Sequence, residues 1–229
     1  MNEIIQTAQH IGIIIAEILL GIYFCRQYIE KYKKEYQLTI AEGVICQNAK
    51  DIEIEQKMNF YKELLKADRI LLFEFHNGQH YSNYRSALKM SPSYEVFRAG
   101  HESIREKCSN LPIAIMPKLI ADIVQEGVSY CQDIEAIKHE MGNSYAFKKS
   151  LGINAFYDKA IKDASGNIVG FVAVEWDNPI PDHVQLMEKH GDELEHLAWY
   201  LEEAVKDLTS QDKDLKNKKK ITLFNIFKK

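Results

Sequence analysis

A chain of 229 residues with 46% hydrophobic and 27% charged residues has the composition of a folded globular protein, with room for one domain of about 150 residues plus extensions. Its four cysteines, Cys25, Cys46, Cys108 and Cys131, form no CxxC pair, which argues against a zinc site or a disulfide framework and suits a reducing compartment. The net charge of −4 conceals eight Lys against three Asp in residues 206–229, so the remainder is distinctly acidic and no specific nucleic-acid binding is expected.

Residues 11–25, IGIIIAEILLGIYFC, are apolar apart from Glu17, and extension back to Ile4 gives about 33 Å of helix, enough to span a bilayer. Its six Ile, two Leu and one Phe favour insertion by roughly 3–5 kcal/mol against about 2.5–3.5 for the central acid. The competing reading is a buried or oligomerising helix with one acid on its edge. Arg26, Lys31, Lys33 and Lys34 follow the run and no cation precedes it, so residues 1–25 are expected to be a single-pass anchor with the rest of the chain cytoplasmic. Glu3, the lack of an early cation and the lack of a small-residue cleavage site argue against a removable signal peptide.

From Arg26 to Lys66 there is no proline, and Gly43 is the one point at which a long helix would break. Residues 26–57 are therefore expected to be a helical stalk, and a parallel homodimer through it is the natural assembly. The following elements are a strand at 69–75, a loop at 76–86, an extended segment at 87–99, a helix to 126 opened by Pro117, a strand in VSYCQDI (128–134) and a helix closed by Gly152. In 153–178 two apolar, β-branched runs flank DASGN, the chemistry of a β-hairpin. Asp182 caps a last helix, expected to reach Val205, with Val184, Met187, Leu194, Leu197, Leu201 and Val205 on one stripe.

This order predicts an α+β fold with a mainly antiparallel sheet flanked by helices. Over residues 58–205, ADRILLFEFHNG, LKMSPSYEVFRAG and the closing hairpin GNIVGFVAVEWDN resemble the GAF domain, a sensory fold related to PAS, in its FHNG-bearing variant found in small proteins of tailed phages and bacteria. The signature of nucleotide-phosphodiesterase GAF domains and the usual setting of a bilin-attachment cysteine are missing, so the resemblance implies a small ligand without naming it. It also implies that the sheet face away from the terminal helices is covered by the central loops, with the ligand between.

On that reading the first strand ends at a pocket rim, with Phe75, His76, Asn77 and Gly78 offering a ring, an imidazole, an amide and close backbone approach. Tyr81, Ser82, Tyr84 and Arg85 would add stacking and anion contacts, and Ser91, Tyr94, Glu95 and Asp133 further polar groups, to read a nucleotide or heterocycle. The alternative is that His76 and Asn77 bond within the fold and touch no ligand. Catalysis, a cofactor and a metal are not expected: no P-loop, GxSxG or dinucleotide fingerprint is present, and neither His76 with His80 nor His190 with His196 makes a ligand pair. A Cys108 or Cys131 nucleophile is the weakest alternative.

Residues 206–229 read as a basic tail. Ile221, Leu223, Phe224 and Phe227, flanked by lysines, suit an anionic membrane surface, a partner protein such as a sliding clamp, or packing on the tail's own domain. An interaction adaptor working through this peptide is the alternative to a ligand-binding sensor or sequestering protein.

Overall fold

The computed structural model describes residues 2–78 and 88–226, with side chains described at 17–31, 33, 44, 45, 47–78 and 88–208. The chain divides into two units, Met1–Asp51 and Ile52–Lys229. A helix, α1, runs from Asn2 to Leu65 and does not break at Gly43. Among the described residues no helix is long and apolar enough to cross a membrane. The side chains of residues 2–16, much of the expected anchor, lie outside that description.

In the second unit the elements are β1 (Arg69–His76), β2 (Lys89–Phe97), β3 (Leu111–Pro112), α2 (Pro117–Glu126), β4 (Val128–Cys131), α3 (Lys138–Met141), α4 (Asn143–Ser150), β5 (Ala155–Lys162), β6 (Ile168–Trp176) and α5 (His183–Ile226). They form one six-stranded sheet in the order β3-β2-β1-β6-β5-β4, antiparallel at every step. The punctuation residues act as their chemistry requires. Pro117 opens α2 and Gly127, at φ 78°, closes it. The Asp163 carboxylate accepts the amides of Ser165 and Asn167 at 2.8 and 2.9 Å in the β5–β6 turn. Asp182 accepts the amide of Gln185 at 3.0 Å at the start of α5. That helix runs on to Ile226 instead of ending near Val205, and Val184 stays exposed while Leu186 takes the buried position on the stripe.

The sheet separates two cores. On one face Ile54, Met58 and Leu65 of α1 and Leu194, Leu197 and Leu201 of α5 pack on Ile70, Leu72, Val172 and Val174. On the other, Leu71, Phe73, Phe156 and Phe171 meet Ile104, Cys108, Met116, Leu119, Ile123 and Met141 from the connecting segments and short helices. Strand alternation sets this division. In β2 it changes phase: the register slips opposite Leu72 and Phe73, so Tyr94 pairs with Leu72 and Pro92 with Phe73, leaving Ser93 as a bulge whose hydroxyl donates to the Leu72 carbonyl at 3.2 Å. Met90 thereby joins the loop-covered core and Tyr94 the helix-covered one.

Gly170 of β6 has no room for a side chain. A Cβ there would lie inside van der Waals contact of the Phe73 carbonyl oxygen and 3.1 Å from Glu74 Cα, both backbone atoms that cannot swing away. Gly170→Ala should destabilise the domain by about 2–4 kcal/mol in urea unfolding. A loss below about 1 kcal/mol would mean that β1 and β6 can spread.

Candidate functional site

Beneath the loops lies a row of buried charges. Arg69, Glu175 and Asp158 occupy inward positions on three successive strands, and Lys148 reaches them from α4. Arg69 Nε is 3.3 Å from Glu95 Oε1, and its Nη1 is 3.8 Å from Glu175 Oε2. Lys148 Nζ lies 3.2 Å from Glu175 Oε1, 3.5 Å from Asp158 Oδ2 and 4.0 Å from the Phe156 ring centre. Burial alone would depress the Lys148 ammonium, but Asp158 and Glu175 outweigh it and hold the group above the ordinary lysine value. Asp158 is fully buried and neither of its oxygens accepts a hydrogen bond, so burial, reinforced by Glu175, pushes its carboxyl up to about 7 despite Lys148.

The same row ends in the segment that covers the face. Glu95 Oε1 accepts the Ile104 amide at 2.9 Å, and Oε2 accepts the Arg105 amide at 3.2 Å and the Ser103 hydroxyl. Ser91 Oγ accepts the Asn110 amide at 2.8 Å and lies 2.9 Å from His76 Nε2. The 103–110 segment is thus fastened at both ends to β2.

These contacts place the residues expected at a pocket rim. Phe75 packs with the loop-covered core and Glu95 ties its cover, whereas Tyr94 is buried in the helix-covered core. His76 and Ser91 follow the strand alternation onto the helix-covered side and bond each other. Asn77 is exposed, Gly78 half-buried, and Asp133 accepts the Glu135 amide at 2.9 Å in its own turn. Tyr81, Ser82, Tyr84, Arg85 and Phe227 lie outside the described residues, as do the side chains of Ile221, Leu223 and Phe224. The structure therefore distributes the described members of that group over two faces and engages most of them within the fold.

A cavity of about 220 Å³ opens elsewhere on the loop-covered side, enclosed by α2, β4, the α3–α4 segment and β5. Leu119, Ile137, Met141 and Phe156 supply its apolar wall, and Lys118, Asp122, Ser129, Glu140 and Ser144 its polar groups. Lys118 Nζ lies 3.3 Å from Asp122 Oδ2, which also accepts the Ser129 hydroxyl at 3.1 Å. Ser144, 1% exposed, leaves its Oγ without a partner, one turn of α4 before Lys148. None of these polar groups stood out in the sequence as a site. Asp158 and Glu175 did leave a signal there, as single acids at strand positions whose neighbours two residues away, Phe156, Ala160 and Ala173, are apolar.

Asp68, His101 and Asp177 gather at the end of β1, β2 and β6 with one donor atom each within 4.8 Å, the one grouping of described residues with metal-ligand chemistry. The facing atoms are engaged with one another or with neighbours, and the buried His101 Nδ1 is without a hydrogen bond to any described residue. Arg98 Nη1 is 2.7 Å from Asp68 Oδ1, the Asp177 amide donates to Asp68 Oδ2 at 2.7 Å, and His101 Nε2 is 2.5 Å from Asp177 Oδ2. This is a clasp on three strand ends. Cys108 and Cys131 are poor nucleophiles, since burial pushes the Cys108 thiol up to about 12 and raises that of Cys131.

No family model matches the sequence, and no curated protein does. Solved structures do resemble the fold. GAF3 from Slr1393 of Synechocystis sp. PCC6803, in its photoproduct state, superposes with a TM-score of 0.52 at 13% identity, over 72% of this chain and 98% of that one. The blue-light absorbing form of the PixJ GAF domain from Thermosynechococcus elongatus gives a TM-score of 0.52 at 13% identity, over 75% and 93%. The fold is GAF-like. In this GAF-like domain the loop-covered face carries the charge row and the cavity side by side.

The charge row makes a pH test. Asp158 has a folded pKa of about 7, above the roughly 3.9 of an unfolded aspartate, so between those values the folded state keeps a proton that the unfolded chain has released. Its contribution to stability is complete below about pH 4 and is lost as the pH rises through 7. Asp158→Asn is neutral throughout, so from pH 4 to 8 the wild type should lose on the order of 3 kcal/mol relative to the variant in urea unfolding. Parallel pH profiles would mean that Asp158 titrates as an exposed acid does.

Proposed function

We propose that the Ile52–Lys229 unit is a small-ligand sensor or sequestering domain that holds its ligand, without catalysis, in the cavity between α2, the α3–α4 segment and β4–β5. The observation that carries this reading is the Ser144 hydroxyl, buried and unpartnered in the wall of an open cavity. A buried hydroxyl without a hydrogen bond costs about 1–3 kcal/mol, and a polar group on a ligand removes that cost. At 220 Å³ the space is below the roughly 300–1,000 Å³ of drug-sized sites, so the ligand is smaller than a tetrapyrrole.

The first unit supplies a membrane tether in this proposal, with the second unit on the cytoplasmic side. Ile18, Leu19, Leu20, Ile22, Tyr23 and Phe24 are each 56–61% exposed and spread around most of the helix circumference, and Arg26, Lys31 and Lys33 follow them. Such a surface needs lipid or another apolar partner. Pairing of two chains along residues 26–57 is compatible with this tether and would make the protein a dimeric receptor of the FHNG-bearing kind.

Native mass spectrometry of protein taken directly from cells should show a copurifying small molecule. Ser144→Phe, which fills the cavity, should reduce its occupancy at least tenfold. A ligand retained in full by that variant would place binding elsewhere. After an alkaline carbonate wash the full chain should stay with the membrane fraction, and release into the supernatant would overturn the tether.

A further inference from the structure

We infer that the ligand of this cavity is a small organic cation, an ammonium-bearing molecule with a short apolar or aromatic body. The assignment rests on the small-ligand reading above and adds the chemical class.

The polar groups of the wall differ in what they have left to offer. Lys118 is held by Asp122, whose carboxylate also takes the Ser129 hydroxyl. Glu140, in α3, contributes an exposed carboxylate that makes no bond with any described residue, and Ser144 contributes the buried hydroxyl. The uncommitted groups are thus a carboxylate and a hydroxyl, and the lining cation is spoken for. An incoming phosphate or carboxylate would meet Glu140 with no free cation to offset it. An ammonium would gain a charge-assisted bond to Glu140 and a second to Ser144 Oγ.

The surroundings act in the same direction. The lining carries one cation against two carboxylates. The buried row behind it, reached through Phe156 and the Ser129–Asp158 strand pair, holds Arg69 and Lys148 against Glu95, Glu175 and the half-protonated Asp158, so it brings no excess of positive charge to the wall. The only cation of that row near the cavity wall, Lys148, already faces two carboxylates and the Phe156 ring. Phe156, Leu119 and Met141 give the rest of the ligand an apolar surface.

The assignment excludes nucleotides, whose phosphates carry the wrong sign, although they are natural candidates for a pocket built from His76, Asn77 and Arg85.

The test compares three probes of one size and shape: 2-phenylethylamine, 2-phenylethanol and phenylacetate. Each is titrated calorimetrically at pH 7 and low salt into the full chain in mild detergent. The amine should bind one saturable site at least tenfold more tightly than the alcohol or the acid, and added salt should weaken it. Glu140→Gln, on an exposed side chain that the fold does not need, should weaken the amine about tenfold and leave the alcohol unchanged. Ser144→Leu should remove binding of all three.

Preferential binding of phenylacetate or of the alcohol, lost in Ser144→Leu, would overturn the cationic assignment and leave the small-ligand cavity standing. Binding of the amine that neither substitution changes would overturn the assignment to this cavity. No saturable binding by any of the three would overturn both.

Discussion

Two cations and three acids, one of them the partly protonated Asp158, lie buried in one row across the middle of this sheet, and the loop-covered half of the domain is arranged around keeping them together. Arg69 joins Glu95 to Glu175, and Lys148 joins Glu175 to Asp158. Each cation sits between two acids, so loss of either would leave unpaired charge in a medium that solvates it poorly, at a cost of about 3–5 kcal/mol. An apolar row of the same shape would be no less stable. The row therefore acts mainly as a specification of geometry. It connects β2, β1, β6, β5 and α4, and Glu95 carries it on to the 103–110 segment through backbone amides.

That specification leaves a small cavity on the loop-covered face of the GAF-like scaffold. Lys148 fills the middle of the face and rests on Phe156, while the aromatic stack of Phe73 on Phe171, with ring centres 4.8 Å apart, fills the side toward the β5–β6 turn. What remains open is the corner where the short β4 edge, α2 and the two short helices meet. Charge balance at that corner, more than its volume, limits what it accepts.

Much of the architecture was legible along the chain because it rests on local chemistry. Pro117, the Asp163–Asn167 turn and Asp182 mark element ends that the structure reproduces, and the alternating runs around them give the central strands. The end of the last helix was not legible, since a lysine-rich polar stretch after Val205 has the composition of a linker and of an exposed helix alike. The site was less legible than the fold. His76 and Glu95 look like ligand groups in sequence, yet each finds its partner, Ser91 or the Arg69 and Ile104 groups, across a strand pairing that one-dimensional spacing does not contain. Ser144 gives no sequence signal, because its significance is the absence of a neighbour.

The bulge at Ser93 bears on how this strand can vary in length. Ser93 is the residue left over between Pro92, opposite Phe73, and Tyr94, opposite Leu72. Its removal would close the ladder without turning either end: Met90 would still face the loops, Tyr94 the helices, and Ser91 would keep its place beside Asn110 and His76. What would go is the hydroxyl bond to the Leu72 carbonyl and the local bend of the strand. Length can thus be lost at the bulge at the cost of local contacts, whereas a one-residue slip of the ladder on either side of it would turn Met90 or Tyr94 out of its core.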